Sequence, residues 1–321
     1  MHLSRCMLVR ANKSLLEYKV DGIHYGIDVS FWKEKGENYM NKQESDILNA
    51  LLSEPFVNQK NLAEVSGYSL WVIKRSLKEL IKAGYLDDSI CPTMKTITEF
   101  KQKKPQSAII LAAGLGMRIV PINTEVPKGL LEVKGEPLIE RIIKQLHEVG
   151  INKIYVVVGF MKEKYKYLID EYGVELVVNV DYIAKNNLHS IKLVKEHLEN
   201  AYIVPCDIWC DKNPFRKIEL HSWYMVSDRM DYESNVCVNR KMELVNVPKN
   251  FRGNAMIGVC YLEREDAHIV AGRIEELSYN PQYDRAFWEE ALYSRDRMIV
   301  AARVVNSADV VEINTYEQLR E

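Results

Sequence analysis

The stretch A-I-I-L-A-A-G-L-G-M-R, Ala108–Arg118, decides how the larger part of this chain folds. Ala108–Ala113 is apolar without alternation, the signature of a strand covered on both faces in a parallel sheet. Two glycines and an arginine follow. Gly114 and Gly116 let the backbone approach a phosphate and turn N–H groups toward it. Arg118 adds a fixed fork of donors suited to phosphate oxygens. This is not a Walker A loop, because no Gly-Lys-Ser/Thr follows, and the third glycine of a dinucleotide fingerprint is missing.

Outward from this stretch the pattern alternates. Leu138–His147 reads as an amphipathic helix, Lys153–Gly159 as a strand, Lys162–Glu171 as a helix and Val174–Asn179 as a strand. Leu188–Leu198 is a further helix and Ala201–Pro205 a fourth strand. Strand–helix alternation with Val/Ile-rich strands predicts an α/β fold, a mainly parallel sheet sandwiched by helices. Ligands in such sheets bind beyond the carboxyl ends of the strands.

The 321 residues are 47% hydrophobic and 27% charged, with a formal net charge of -2. That excludes a disordered or collagen-like chain and leaves room for about two domains. With 43 Lys+Arg against 45 Asp+Glu, any nucleic-acid role must come from a local surface. Cys6, Cys91, Cys206, Cys210, Cys237 and Cys260 are too sparse for a disulfide scaffold and form no C-x-x-C pair. Cys206 and Cys210 (CDIWC) lack the second pair a zinc site needs and read as structural thiols. MHLSRCMLVR has no apolar signal-peptide core, and the longest apolar runs are strand length. A cytoplasmic protein without a membrane partner is the expectation.

Lys101–Gln106 (KQKKPQ) is the expected linker, with the domain it opens covering residues 107–321. Residues 1–40 carry strand-like content around the hairpin signal Asp21-Gly22 and receive no function. Residues 41–100 turn helical. Ile47, Leu48, Leu51 and Leu52 form one apolar face, Leu62, Ala63 and Val65 a second helix closed by Gly67. Ser69 caps a third helix with Val72, Ile73, Leu77, Leu80 and Ile81 inward. Gly84 ends it, and Tyr85–Asp88 with Lys95–Phe100 reads as a turn and strand pair. The phrase LAEVSGYSLWVIKRSLKELIKAGYL resembles a winged helix-turn-helix. That resemblance implies DNA binding, with Lys74, Arg75 and Lys78 near phosphates or base edges. Glu44, Asp46, Glu54, Glu64, Glu79, Asp87 and Asp88 dilute the positive charge, so docking or dimerisation is the competing role.

The loop LAAGLGMR together with VPKGLLEVKGEPLIERII resembles the nucleotidyltransferase superfamily, whose shared pattern is a strand, A-A-G-x-G-x-R, P-K and a P-L-I helix. This implies a Rossmann-like, GT-A-like nucleotidyltransferase sheet preceded by the winged helix. It also implies that Gly114 and Gly116 wrap a triphosphate while Arg118 and Lys128 neutralise charge as pyrophosphate leaves. GINKIYVVVGFMKEKYKYL, VNVDYIAKNNLHSIKLVKEHL and AYIVPCDIW narrow the resemblance to bacterial CTP:phosphocholine cytidylyltransferases. By that resemblance Leu111, Ala112 and Ala113 line the base pocket, and Asn186, Asn187 and Ser190 lie near nucleotide or acceptor. Helix capping before Leu188 is the competing role of the Asn pair.

The resemblance also makes Asp207 the Mg²⁺ carboxylate, since this ion takes one or two carboxylates with phosphate oxygens and water. VVEINTYEQLRE is similar to the family's second-metal-ligand segment but carries Asn314 where the family has Asp. Glu312 lies two residues earlier on the same strand face and can supply charge. YDRAFWEEALY resembles the acceptor segment, which gives Phe287, Trp288 and Glu289 the task of holding a quaternary ammonium. Arg285 stands there in place of an acidic residue, and packing against the sheet is the competing role of the two aromatics. Trp209 and Tyr261 are further aromatic candidates. The implied reaction joins CTP and phosphocholine into CDP-choline and pyrophosphate. The alternatives are a sugar-phosphate nucleotidyltransferase, or a DNA-binding regulator whose transferase domain senses a ligand.

Overall fold

The Asp21-Gly22 turn signal falls between paired strands. The structure is a computed structural model that describes residues 7–11, 15–20, 23–28, 40–53, 56–101, 103–116, 125–248 and 250–313. Strands β1 (Met7–Ala11), β2 (Leu15–Val20) and β3 (Ile23–Asp28) form an antiparallel sheet in that order. Val20 faces Ile23 across the signal, whose two residues lie outside the described ones. These strands belong to the first of two compact units, Met1–Thr93 and Met94–Glu321.

Among the described residues of the first unit there are three helices: α1 (Lys42–Ser53), α2 (Gln59–Ser66) and α3 (Leu70–Lys82). Each boundary has a local cause. The Asn58 side chain accepts the N–H groups of Lys60 and Asn61, at 2.9 and 3.0 Å, and so starts α2. Gly67, at φ 72°, ends α2 in the left-handed region where a Cβ is penalised. Ser69 then caps α3, accepting from the Val72 N–H. Ile47, Leu48, Leu62, Ile73, Leu77 and Leu80 are buried. The wing is reduced to one bridge, Leu86 opposite Pro92, around a turn in which the Asp87 carboxylate accepts from the Ser89 and Cys91 N–H groups.

The expected strand at Lys95–Phe100 is instead a helix, α4 (Met94–Lys101). Its β-branched content misleads, because Thr96 and Phe100 are the buried residues, a helical spacing of four. The Thr98 hydroxyl bonds back to the Met94 carbonyl at 2.8 Å. Within Lys101–Gln106, read as a linker, the described residues are held to the second unit. The Lys103 ammonium reaches the Leu220 carbonyl and Glu263, and Gln106 donates its N–H to Asn200 O at 2.8 Å.

The second unit is built on β4 (Ser107–Ala112), followed by the short pair β5 (Glu132–Val133) and β6 (Glu136–Pro137), then α5 (Leu138–Glu148) and β7 (Ile154–Val158). The predicted helix at Lys162–Glu171 divides into a 3-10 turn, Lys162–Tyr165, and α6 (Tyr167–Tyr172). Next come β8 (Glu175–Val178), α7 (Asn187–Lys192), β9 (Ala201–Pro205) and β10 (Ile208–Cys210). The remainder is mostly sheet: β11 (Trp223–Asp231), β12 (Val236–Val238), β13 (Glu243–Asn246) and β14 (Gly253–Leu262). Helix α8 (Arg264–Ser278), a 3-10 turn at Trp288–Leu292, β15 (Tyr293–Ser294), β16 (Arg297–Val305) and β17 (Val310–Glu312) finish it.

The main sheet runs β12-β13-β16-β11-β14-β9-β4-β7-β8, with β15 beside β16. It is mixed, and the β9-β4-β7-β8 half is parallel. Alternation along β4 divides the core. Ala108, Ile110 and Ala112 pack with Ile139, Ile142 and Leu146 of α5, while Ile109 and Ala113 face Leu188 and Ile191 of α7 on the other side. The stretch NRKMELVNVPKNFRGN supplies β13 and the turn into it. Asn239 accepts the Lys241 and Glu243 N–H groups there.

Buried charge ties β16 to the segment before β11. Arg303 meets Glu219 at 2.8 Å, with side-chain exposures of 14% and 2%. Its guanidinium lies 3.5 Å from the Trp223 ring centroid, and the Tyr202 hydroxyl donates to the same carboxylate at 2.8 Å. Arg303→Ala strands that carboxylate in the core and is expected to cost about 3–5 kcal/mol. Urea denaturation followed by tryptophan fluorescence measures this. Replacing both partners by apolar residues of similar volume is expected to cost less.

Candidate active site

The order β8-β7-β4-β9 reverses direction at β4, and this switch point opens a crevice beyond the carboxyl ends of the strands. A cavity of about 500 Å³ lies there. Its floor comes from β4 and the loop after it: Leu111, Ala113, Gly114, Leu115 and Gly116. Gly114 leaves open space where a Cβ would stand, and Gly116 has φ 62°. The two glycines therefore offer a close backbone approach and a left-handed turn. Ala112 departs from the expected base pocket. Its side chain belongs to the core under α5, because neighbours on a strand alternate faces.

Pro205, Cys206 and Asp207 at the end of β9 form the adjoining wall. Lys128, in a 3-10 turn after Pro127, bonds Asp207 Oδ2 at 2.5 Å. The fit behind it is close. A Cβ on Gly129 would stand 3.1 Å from the Tyr165 hydroxyl and 3.2 Å from Cys206 Cβ. Burial pushes the Cys206 thiol well above its ordinary value, so it stays protonated and structural. Leu131, Val133, Leu138, Trp209 and Ile313 make a small separate core beneath these residues. Trp209 is thus a packing residue there, with Arg141 stacked 4.3 Å from its ring centroid.

The Ile313 N–H donates to the Asp207 carbonyl at 2.8 Å, and Ile208 faces Glu312 in the β10–β17 pair. Arg118 and Asn314 lie outside the described residues. Among the described residues no cluster of three or more His, Cys, Asp or Glu side chains is arranged around a metal position. Asp207 gives one hard oxygen ligand on the cavity wall, a donor set that suits Mg²⁺ when phosphate oxygens complete it.

The opposite wall joins α7 to the segment Asp284–Glu289. Asn186 caps α7, accepting the Asn187 N–H at 2.8 Å, and its Nδ2 donates to Arg285 O at 3.1 Å. The Asn187 side chain accepts the Trp288 N–H at 2.8 Å. The Asn pair thus caps the helix and binds two segments together beside the cavity. Ser190 accepts from Asn179 Nδ2 at 3.0 Å. Trp288 is buried and Phe287 exposed, and both border the cavity with Glu289. Tyr261 is buried in the core.

Glu289 is a cavity-lining carboxylate whose surroundings disfavour its charge. The Tyr224 hydroxyl donates to its Oε1 at 3.0 Å, while Oε2 is buried with no hydrogen-bond partner among the described residues. Desolvation pushes its carboxyl up to about 7, against the lowering effect of the hydrogen bonds, with Glu290 and Glu312 adding repulsion. Such a carboxylate is suited to a cation that brings its own positive charge.

Sequence reasoning missed Asn179, Tyr182, Lys185 and Gly258, which also border the cavity. Asn179 was reachable, since it follows β8 as Asp207 follows β9. Tyr182 packs where a Cβ on Gly159 would come within 2.7 Å of its ring. Gly258, at φ 88°, faces Pro205 from β14, a neighbour that only the sheet order brings near.

Residues 108–217 match the MobA-like NTP transferase domain family, and residues 40–87 match the winged helix-turn-helix DNA-binding family. The chain is 32% identical over 223 residues to the choline-phosphate cytidylyltransferase of Streptococcus pneumoniae, covering 66% of this chain and 95% of the relative. A 2-aminoethylphosphonate cytidylyltransferase of Lancefieldella rimae is 28% identical over 221 residues, covering 66% and 90%. The solved structure of a CTP:phosphocholine cytidylyltransferase from Streptococcus pneumoniae matches with a TM-score of 0.61 and 29% identity, covering 67% of this chain and 96% of that one. An inositol-1-phosphate CTP transferase from T. maritima, at 21% identity and a TM-score of 0.52, shares the fold. The chain belongs to the choline-phosphate cytidylyltransferase family of nucleotidyltransferases, and it carries a winged helix-turn-helix ahead of the transferase fold.

Proposed function

We propose that the second unit transfers a cytidylyl group from CTP to phosphocholine, giving CDP-choline and pyrophosphate. The observation that carries this reading is the Lys128–Asp207 pair, set beside the glycine loop at the switch point and faced by Phe287, Trp288 and Glu289. A choline-phosphate and a 2-aminoethylphosphonate cytidylyltransferase among the relatives support an acceptor that joins an amine to a phosphoryl or phosphonyl group.

In this reading the loop N–H groups and Arg118 hold the triphosphate, and Leu111 and Ala113 border the base. Lys128 neutralises charge as the bond between the α- and β-phosphates breaks. An acceptor phosphate oxygen forms the new bond to the α-phosphorus. It is already anionic, so the chain needs no side-chain base. Asp207, with Asn314 as the second ligand, would hold Mg²⁺ together with phosphate oxygens, and the ion would supply charge neutralisation to the phosphates. Glu289 takes the acceptor's cationic head.

Release of pyrophosphate from CTP, scanned over phosphocholine, 2-aminoethylphosphonate and sugar phosphates, tests the assignment. Turnover with sugar phosphates and none with phosphocholine would overturn the acceptor. Lys128→Ala and Asp207→Ala are each expected to lower kcat by at least about 100-fold, the scale for removing a charge-stabilising group. Because Glu289 titrates near 7, its carboxylate is neutral below that pH and ionised above it. The KM for phosphocholine is therefore expected to rise as the pH falls through 7, while the KM for CTP stays level. Glu289→Gln is expected to raise it throughout and remove the slope.

We further propose that the first unit binds duplex DNA through α3. Trp71, Lys74, Arg75, Lys78 and Lys82 are exposed at helical spacing along one stripe, and the Arg75 guanidinium lies 5.4 Å from the Trp71 ring centroid. Glu79 is exposed on the same helix, four residues after Arg75, and borders this stripe. Replacing Lys74, Arg75 and Lys78 by alanine is expected to flatten the salt dependence of DNA binding by about 0.9 in log–log slope for each phosphate no longer neutralised. Gel-shift titrations across a salt series measure it, and an unchanged slope would sink this reading.

A further inference from the structure

Three described cations border the cavity: Lys128, Lys185 and Arg285. Lys128 is paired with Asp207, and Lys185 Nζ lies 3.3 Å from Asp284 Oδ1. Arg285 differs. Its Nη1 donates to the Ile183 carbonyl at 3.0 Å, a neutral partner, and no carboxylate among the described residues is in ion-pair range of it. A guanidinium carries five donors, and Arg285 is exposed, so the donors not bonded to that carbonyl face solvent and are open to a ligand.

The backbone beneath Arg285 is fixed from both sides. Asn186 donates its N–H to Asp284 O at 2.7 Å and its side-chain amide to Arg285 O at 3.1 Å. The Asp284 carboxylate holds Lys185 and lies 3.2 Å from His189 Nε2. Two residues on, Phe287 and Trp288 begin the wall that ends at Glu289. A charged fork thus stands on the same short segment as the carboxylate read as the cation subsite.

We propose that Arg285 binds the phosphoryl group of the acceptor. This rests on the reading of the second unit as a cytidylyltransferase with a cationic phosphate monoester as acceptor, and it assigns the two ends of that molecule to one segment. The anionic end meets Arg285 and the cationic head meets Glu289. Arginine is matched to this task because its planar donors engage two phosphate oxygens at once, which an ammonium does not. Arg285 is thereby a specificity-determining residue that separates phosphorylated from unphosphorylated amino alcohols.

A ligand-by-mutant cycle tests this in the full chain. Calorimetric titration compares phosphocholine with choline, each against the wild type, Arg285→Ala and Arg285→Lys. The wild type is expected to bind phosphocholine more tightly than choline. Arg285→Ala is expected to lose about 10- to 100-fold in phosphocholine affinity with choline affinity unchanged. Arg285→Lys should recover part of the loss, and the CTP affinity of all three proteins should agree. Equal weakening of phosphocholine and choline, or a loss falling on CTP, would overturn the role of Arg285 while leaving the acceptor reading intact. Binding of neither phosphocholine nor choline by the wild type would overturn the acceptor reading and this assignment with it.

Discussion

Parallel pairing of β4 with β9, in the register that sets Leu111 opposite Pro205, is the constraint on which the rest of the site depends. It ends two strands at the same level, so the glycine loop leaving one and Asp207 leaving the other emerge side by side. Every later element is then placed by how it reaches that edge. Lys128 arrives on a turn packed against Cys206, and β17 arrives through the bond from Ile313 to Asp207. The register is held from beneath, because β4 is buried on both faces and a slip by one residue would exchange Ile110 for Leu111 in the α5 core.

Charge in the second unit is arranged locally, which a whole-chain balance conceals. Lys128 with Asp207, Lys185 with Asp284 and Arg303 with Glu219 each bring one cation to one carboxylate. The pairs serve different ends according to burial. Arg303 and Glu219 join β16 to the segment before β11 inside the core, whereas Lys128 and Asp207 border the cavity, where a ligand can come between them. The near-neutral net charge is the sum of such pairs, and it carries no information about the site.

How much was legible follows the range of the physics involved. The places of Gly114, Gly116 and Asp207 at the cavity were readable because each follows a buried strand, whereas Lys128, in a turn after Pro127, was reached through family resemblance. The helices of the winged unit were readable from period and from the boundary residues Gly67 and Ser69, while the Asn58 cap was seen only in the structure. Ala112 was misassigned by treating three consecutive strand residues as one surface. Lys95–Phe100 was misread because Thr and Ile favour strands by composition while Thr96 and Phe100 are buried at helical spacing. Gly258, Tyr182 and Lys185 were out of reach, since the topology of β14 and the chain between β8 and α7 bring them to the cavity. Phe287, Trp288 and Glu289 entered through family resemblance; their local sequence alone reads equally well as packing.

Glu289 ties the site to the stability of the fold it stands on. An unfolded chain releases that proton near the ordinary glutamate value of 4.5, while the folded chain holds it to about 7. Between those values the native state binds the additional proton, so its stability falls as the pH rises. Above 7 the carboxylate is ionised in both states, so the stabilising contribution of that proton is fully lost and the slope ends. A cation bound at Glu289 would offset that loss most above 7. Under the proposed function, substrate would act there as a structural counter-ion as well as a reactant.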